Sequence, residues 1–289
     1  MRRSPGIVIG DELGPRGRRT VAIASAVSVV VLVATAWVVY GRLQSKGQLA
    51  GRKWRFVTDA RVRSFLLGGL VATLEVAAVA MILAMAIGAL LALGRLAPQR
   101  AYRAVAGTVV EFFRAVPLLV LIFFVAHTFP QWGFDLPAFW YLVIALVAYN
   151  GAVLGEVFRA GILSLDRGQS EAAQALGMGW WQTMGLVVVP QAARRMTPAI
   201  VSQLVTLLKD SSLGFVLPYE ELLRRGQVLG ESFKQNKPFL QSIIVVAAMY
   251  MVVNILLSRF AHRLEVRQRR STRGPDPMPV DSTALAVLE

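Results

Sequence analysis

The chain has 289 residues, of which 55% are hydrophobic and only 17% charged, with a mean hydropathy of +0.55. Soluble domains carry about a quarter charged residues, so this balance excludes an ordinary soluble protein and points to a membrane class. The net charge of +14 then marks loops on one side of a bilayer rather than a nucleic-acid partner, and the lack of cysteine excludes disulfides and thiolate metal sites.

A helix rises ~1.5 Å per residue, so roughly 20 apolar residues cross a hydrocarbon core of about 30 Å. Residues 1–20 are a polar arm with Arg2, Arg3, Arg16, Arg18 and Arg19. Residues 21–40 form a first charge-free run. Ala34-Thr35-Ala36 has the small-x-small form of a signal-peptide cleavage site, but the run continues through Trp37 to Tyr40, which favours a retained anchor. The linker 41–65 carries Arg42, Lys46, Arg52, Lys53, Arg55, Arg61 and Arg63 and reads as an amphipathic segment on the outer membrane surface.

Residues 66–93 form a second run, interrupted only by Glu75. Its Ala80, Ala84, Gly88 and Ala92 recur at steps of four, and small residues so spaced let a neighbouring helix approach closely in lipid. A third span is clear over 116–129 and begins near Ala104, a fourth covers 136–154, and Trp132, Phe139, Trp140 and Tyr141 form an interfacial aromatic belt at its start. A fifth covers 198–217, interrupted by Lys209 and Asp210, and a sixth covers 238–260. The expected fold is an all-α membrane protein with six transmembrane helices; no segment alternates with the period of two that a barrel needs.

Orientation follows the arginines. Arg95, Arg100 and Arg103 follow the second run, Arg159, Arg167, Arg194 and Arg195 flank the polar stretch 165–190, and Arg259, Arg263, Arg267, Arg269, Arg270 and Arg273 follow the last. The opposite side has Arg224, Arg225, Lys234 and Lys237 in its later loop. Both termini are therefore expected in the cytoplasm, although the basic linker 41–65 pulls the first helix the other way. The permease core is expected over 66–265 and a disordered charged, Pro-rich tail over 266–289.

Within positions 168–190 (GQSEAAQALGMGWWQTMGLVVVP), Ser170 is a candidate helix cap and Glu171 suits the first turn. Ala172, Ala173 and Leu176 are placed on one face for a close-packing partner, and Gly177 is placed to stop the helix in the left-handed conformation. A second short helix is expected over 180–189, with Pro190 interrupting the chain before the next span. By spacing alone, a docking loop and a partnerless amphipathic hairpin are both open.

At these residues the chain resembles the permease subunits of ABC importers of the polar amino-acid family. Glu171-Ala172-Ala173, Gly177 and Val189-Pro190 are similar to their EAA loop. Glu111, Arg114 and Pro117-Leu118-Leu119 resemble the family's E-x-x-R-x-x-P-L-L, and Glu156, Arg159, Gly161 and Ile162 its E-x-x-R-x-G-I. Pro190-Gln191-Ala192, Leu208-Lys209-Asp210-Ser211-Ser212-Leu213 and Glu221-Leu222 also fit, so the likeness covers about residues 60–265 in order. The extended N-terminus, Tyr149 to Val153 and Ser202 to Val205 look most like actinobacterial glutamate uptake permeases. The resemblance implies a five-helix core plus one added N-terminal helix. It implies an ABC ATPase dimer docked on the coupling helix, a second permease subunit forming a heterodimer, and an extracellular amino-acid-binding protein.

No G-x-x-x-x-G-K-[ST] phosphate loop is present, so ATP and magnesium belong to the partner ATPase; the chain itself is expected to hold no cofactor, no metal and no catalytic residue. Lys209 and Asp210 come about eleven residues after Pro198, roughly 16–17 Å along a helix axis, near mid-membrane. Either they, with Ser211, form part of a pathway or gate, or the span ends at Leu208 and both charges face outer water. Glu111 and Arg114 share a helix face and are candidates for a structural ion pair. Asn150 is either a cavity hydrogen-bonder or a helix–helix contact, and Glu75 would repel an anionic substrate unless paired. The function expected is the permease subunit of an ATP-driven importer for a polar amino acid, with glutamate the first candidate; a stand-alone carrier or channel is the alternative, though it would more often show related halves.

Overall fold

The computed structural model describes residues 14–232 and 238–272; the side chains of 261–262 and 264–272 are outside that description, as are Arg2, Arg3, Lys234, Lys237 and the tail from Arg273. The chain divides into two compact units, 1–56 and 57–289.

In the first unit, α1 (Pro15–Ser45) starts with its proline in the first turn, where a missing N–H costs nothing. Val29, Val30, Leu32, Trp37 and Val38 are all exposed. A helix apolar on every side suits lipid rather than water. A 3-10 segment, Gly51–Thr58, carries the basic residues Arg52, Lys53 and Arg55 beyond it.

The second unit is built on the crossing of α2 (Ala60–Leu96) with α5 (Ala138–Leu163). Asp59 caps α2 through the Arg61 amide at 2.8 Å. Ala80, Ala84, Gly88 and Ala92 are all buried, as their spacing predicts. A Cβ on Gly88 would lie 3.0 Å from the Gly155 amide nitrogen and 2.9 Å from the Leu154 Cβ, so the two backbones touch here. Around this crossing, Val76 of α2, Ile122 of the later helix Leu118–Gln131, Leu142, Leu146 and Leu154 of α5, and Leu207 and Leu208 complete the core.

The third expected span is not one straight helix. It is α3 (Arg100–Ala115) and α4 (Leu118–Gln131), bent by 101° at residues 116–117. Pro117 lacks an N–H and drives Val116 out of the helical region, to φ −81° and ψ 127°. Only Ala106 and Val110 of α3 are buried. Among the described residues, five helices are long and apolar enough to cross a membrane, or six when the bent pair is taken as one span.

The expected short helix over 180–189, cut off by Pro190, is also corrected. Trp180–Gln182 (α7) continues through π-helical turns at Thr183–Val188 into α8 (Val189–Asp210) without a break. Pro190 sits in the first turn of α8, behind turns whose wider i→i+5 bonding already departs from the α ladder. The fifth span therefore starts well before Pro198, which lies inside α8, and the continuous helical stretch is Trp180–Val216. Its last turns are a 3-10 segment, Ser211–Val216. Short α9 (Leu222–Ser232) and long α10 (Phe239–Thr272) complete the unit, and α10 packs on α8 and α9.

Candidate functional site

The polar loop between α5 and α8 is a short helix with defined ends. Helix α6 (Arg167–Ala175) is capped by Asp166, whose carboxylate accepts from the Gly168 amide at 2.8 Å. The cap is thus Asp166 and not Ser170, which lies inside the helix. At the other end Gly177 has φ +80°. Its N–H donates to the Gln174 carbonyl at 2.9 Å, and the Met178 N–H reaches back to Ala173 at 3.2 Å. These paired bonds satisfy the last carbonyls of α6 and need a residue that tolerates the left-handed region.

The faces of α6 differ from expectation in one residue. Ala173 is buried at 5% exposure, turned toward the π-helical turns, whereas Glu171, Ala172 and Leu176 face outward, Leu176 at 84%. Positions 172 and 176 are one helical turn apart, and 173 is rotated by about 100° from 172. Trp181 and Leu186, in the turns that follow, are also exposed. The Gln191 amide donates to Gln169 at 3.1 Å and Arg195 donates to the Ser164 carbonyl at 2.6 Å, tying the N-terminal end of the loop to α8. Gly161 has Met196 packed against it so closely that a Cβ would lie 2.1 Å from Cγ. The start of α6 and the end of α5 are thus in direct contact with α8.

Directly beneath this loop is a charge cluster whose pairing the sequence does not reveal. Glu156 accepts from Arg95 of α2 at 2.5 Å and from Arg159 at 2.5 Å. This is the ion pairing of the region. The Glu111–Arg114 pair expected from spacing is absent: both side chains are exposed, and no contact within 4.0 Å joins them. The physical reason is that α3 turns this face outward, where solvent screening gives a three-residue spacing little pull.

Of the residues named for a pathway, Asn150 and Ser211 are wholly or almost wholly buried. Asn150 accepts from Gln203 of α8 at 2.6 Å and donates to the Leu146 carbonyl at 3.0 Å, a helix-to-helix link. Ser211 donates to the Leu208 carbonyl at 2.7 Å. Asp210 is half-buried at the last α8 position, and Lys209 is exposed. Lys209 lines two adjoining hollows between α8 and α10, of ≈ 500 Å³ and ≈ 410 Å³. Clefts of that size are typical of small-molecule sites.

A second polar knot lies where α9 meets α10 at Tyr250. Glu221, fully buried, stands before α9 and accepts from the amides of Leu223 (2.9 Å) and Arg224 (2.6 Å) and from the Tyr250 hydroxyl (2.8 Å). It caps α9, where the free N–H groups favour a carboxylate. Burial pushes its pKa above the ordinary carboxylate value, and these hydrogen bonds oppose that shift. Tyr219 donates to the Ala72 carbonyl at 3.0 Å, and burial, with Glu75 and Glu221 nearby, raises it to about 12. Among the described residues, no cluster of His, Asp and Glu has the makings of a metal site.

Comparison with known proteins assigns this architecture. Residues 84–270 match the family described as binding-protein-dependent transport system inner membrane component, and the chain belongs to that family. It is a multi-pass membrane protein, the permease subunit of an amino-acid ABC importer. The glutamate transport system permease protein GluD of Corynebacterium glutamicum is 40% identical over 235 residues, covering 80% of this chain and 85% of that one. The probable glutamine ABC transporter permease protein GlnP of Bacillus subtilis is 38% identical, covering 71% and 94%. Among solved structures, an amino acid ABC transporter crystallised with histidines superposes with a TM-score of 0.65 at 29% identity, covering 73% of this chain and 98% of that one. The family expected from the motifs of the sequence is the one found.

Proposed function

We propose that this chain carries glutamate, or a closely related polar amino acid, across the cell membrane, driven by an ATPase that docks on α6. The observation that carries the reading is an exposed Glu171–Ala172–Leu176 face held on a helix with fixed ends and bonded to α8. Transport by this route needs a bundle with two arrangements, and a partner that binds the two unequally shifts their balance. Here α6 is the contact, α8 the transmitting element and the charged end of α8, at Lys209 and Asp210, the part of the pathway that opens and closes.

The substrate assignment is supported by the 40% identity to the glutamate permease GluD, while the next relatives carry glutamine and arginine in their names. Both termini lie in the cytoplasm, a different permease chain completes the pathway, and an extracellular binding protein delivers the amino acid. Purification from the native membrane, followed by uptake assays with labelled glutamate against unlabelled glutamine, histidine and arginine, tests all of this. An ATPase subunit should co-purify, and glutamate should compete best. A preparation without any ATPase, transporting without ATP, would overturn the reading.

A further inference from the structure

The end of α1 carries a cluster of cations at the level of the lipid headgroups. Arg19 and Arg42 bracket the charge-free stretch of this helix, residues 20–41. They stand about 34–35 Å apart along its axis, slightly more than a hydrocarbon core of about 30 Å. Trp37 and Tyr40, both exposed, come within two turns before Arg42, and aromatic rings on a spanning helix settle at the membrane–water boundary. Helix length and aromatic position therefore agree in placing Arg42, and the turn after it, at that boundary.

The chain then turns in a defined way. Gly47 has φ +60°; its N–H donates to the Gln44 carbonyl at 2.9 Å, and the Gln48 N–H donates to the Leu43 carbonyl at 2.8 Å. Paired bonds of this kind close a helix and fix the direction in which the chain leaves it. The Lys53 amide donates to the Ala50 carbonyl at 2.9 Å and its ammonium to Gln48 Oε1 at 3.0 Å, which ties the start of the 3-10 segment to the turn. Arg42, Lys46, Arg52, Lys53 and Arg55 fall in this stretch, and residues 41–58 contain no Asp or Glu. Arg42, Lys46 and Arg52 are exposed and, among the described residues, have no ion-pair partner within 4.0 Å. Arg42 and Lys46 offset the dipole at the C-terminal end of α1, but Arg52, Lys53 and Arg55 lie beyond its last turn, where that effect has faded. Trp54, also exposed, sits among those three.

We infer that this turn binds the headgroups of anionic phospholipids, with Arg42, Lys46 and Arg52 holding phosphate oxygens and Trp54 resting in the interface beside them. A guanidinium gives a phosphate two parallel charge-assisted hydrogen bonds, which are stronger than neutral ones. Position favours a lipid over an acidic protein as the occupant. The cations follow directly on a helix apolar on every side and on an aromatic belt, where headgroup phosphates are in constant supply. A zwitterionic headgroup carries its own cation, so the cluster prefers a lipid of net negative charge. Binding there holds α1 at a set depth. The inference needs only that α1 crosses the bilayer and is independent of what the protein transports.

The test uses the full chain in vesicles of phosphatidylcholine and phosphatidylglycerol in equal amounts, with bromine on the acyl chains of one lipid or of the other. Bromine quenches tryptophan fluorescence on contact, and the difference between wild type and W54F isolates the share of Trp54. Trp54 should be quenched more strongly by brominated phosphatidylglycerol than by brominated phosphatidylcholine. Each cation near an anionic surface contributes about fivefold to affinity, so R42Q/K46Q/R52Q should erase the preference. R42K/R52K, which keeps the charge, should retain it. Salt at about 1 M, where screening acts over roughly 3 Å, should weaken it in the wild type. Equal quenching by the two lipids in the wild type overturns the inference. So does a preference that survives in R42Q/K46Q/R52Q, since other residues would then select the lipid. Quenching by neither lipid, with the turn cross-linking to a soluble acidic protein, overturns it in favour of a protein partner.

Discussion

Asn150 of α5 and Gln203 of α8 are joined by a hydrogen bond of 2.6 Å, and the Asn150 side chain has no exposure at all. The bond crosses between the helix that anchors the bundle and the helix that begins at the polar loop. Removing one partner strands the other: Asn150→Ala leaves the Gln203 amide without its acceptor. The expected cost is about 1–3 kcal/mol, read as a lower unfolding temperature of the detergent-purified protein, while Asn150→Ala with Gln203→Ala together should recover part of the loss.

Gly177 is strained for any residue with a side chain, since φ is +80° although nothing lies within 4 Å of its Cβ position. Gly177→Ala should therefore cost about 1–2 kcal/mol locally from conformation alone. That strain falls on the end of α6 and not on the bundle. Membrane insertion should be unchanged, and ATP-driven uptake should fall severalfold. Uptake equal to wild type would show that the turn after α6 need not hold its shape.

Glu156 and Glu111 make opposite predictions despite both opening an E-x-x-R sequence. Glu156→Gln removes the negative charge shared by Arg95 and Arg159 and leaves their two guanidinium groups beside a neutral amide. Its side chain is 26% exposed, so the loss of stability should be modest, about 1 kcal/mol; uptake should fall as α2 and α5 lose their clasp beneath the loop. Glu111→Gln should leave stability unchanged, because that carboxylate is exposed and has no ion-pair partner among the described residues. Thermal unfolding and uptake of the two variants side by side check the contrast.

Burial raises the pKa of Glu221 above its ordinary value of 4.5, so the folded chain binds this proton more tightly than the unfolded one. The contribution of this site to stability is then fully present below 4.5 and declines as pH rises through the raised value. Glu221→Gln removes the titration. Between pH 4.5 and 8 its unfolding temperature should vary less with pH than that of the wild type. Identical slopes would mean that Glu221 is ionised in both states throughout the range.

The legible parts of this molecule were those governed by neighbours in the chain. Apolar run length located the helices from 21–40, 66–93, 136–154 and 238–260, because crossing hydrocarbon demands about 20 residues whatever the fold. The small-residue stripe of α2 was readable for the same reason, and Gly177 because a helix stop has few chemical solutions. The bend at Pro117 was visible as a residue but not as an angle: a proline disfavours the helix locally, and whether the chain kinks by 20° or turns by 101° is decided by what packs around it.

By itself the sequence determined that this is a helical membrane protein with a polar loop bearing the importer motifs, since burial in lipid and turn geometry act over a few residues. The tertiary structure alone decided that Glu156 rather than Glu111 is paired, that Ala173 turns inward while Leu176 turns out, and that Lys209 meets Arg259 and Arg263 along one groove. Each of those depends on which helix faces cross, and a crossing joins residues tens of positions apart whose proximity no local spacing encodes.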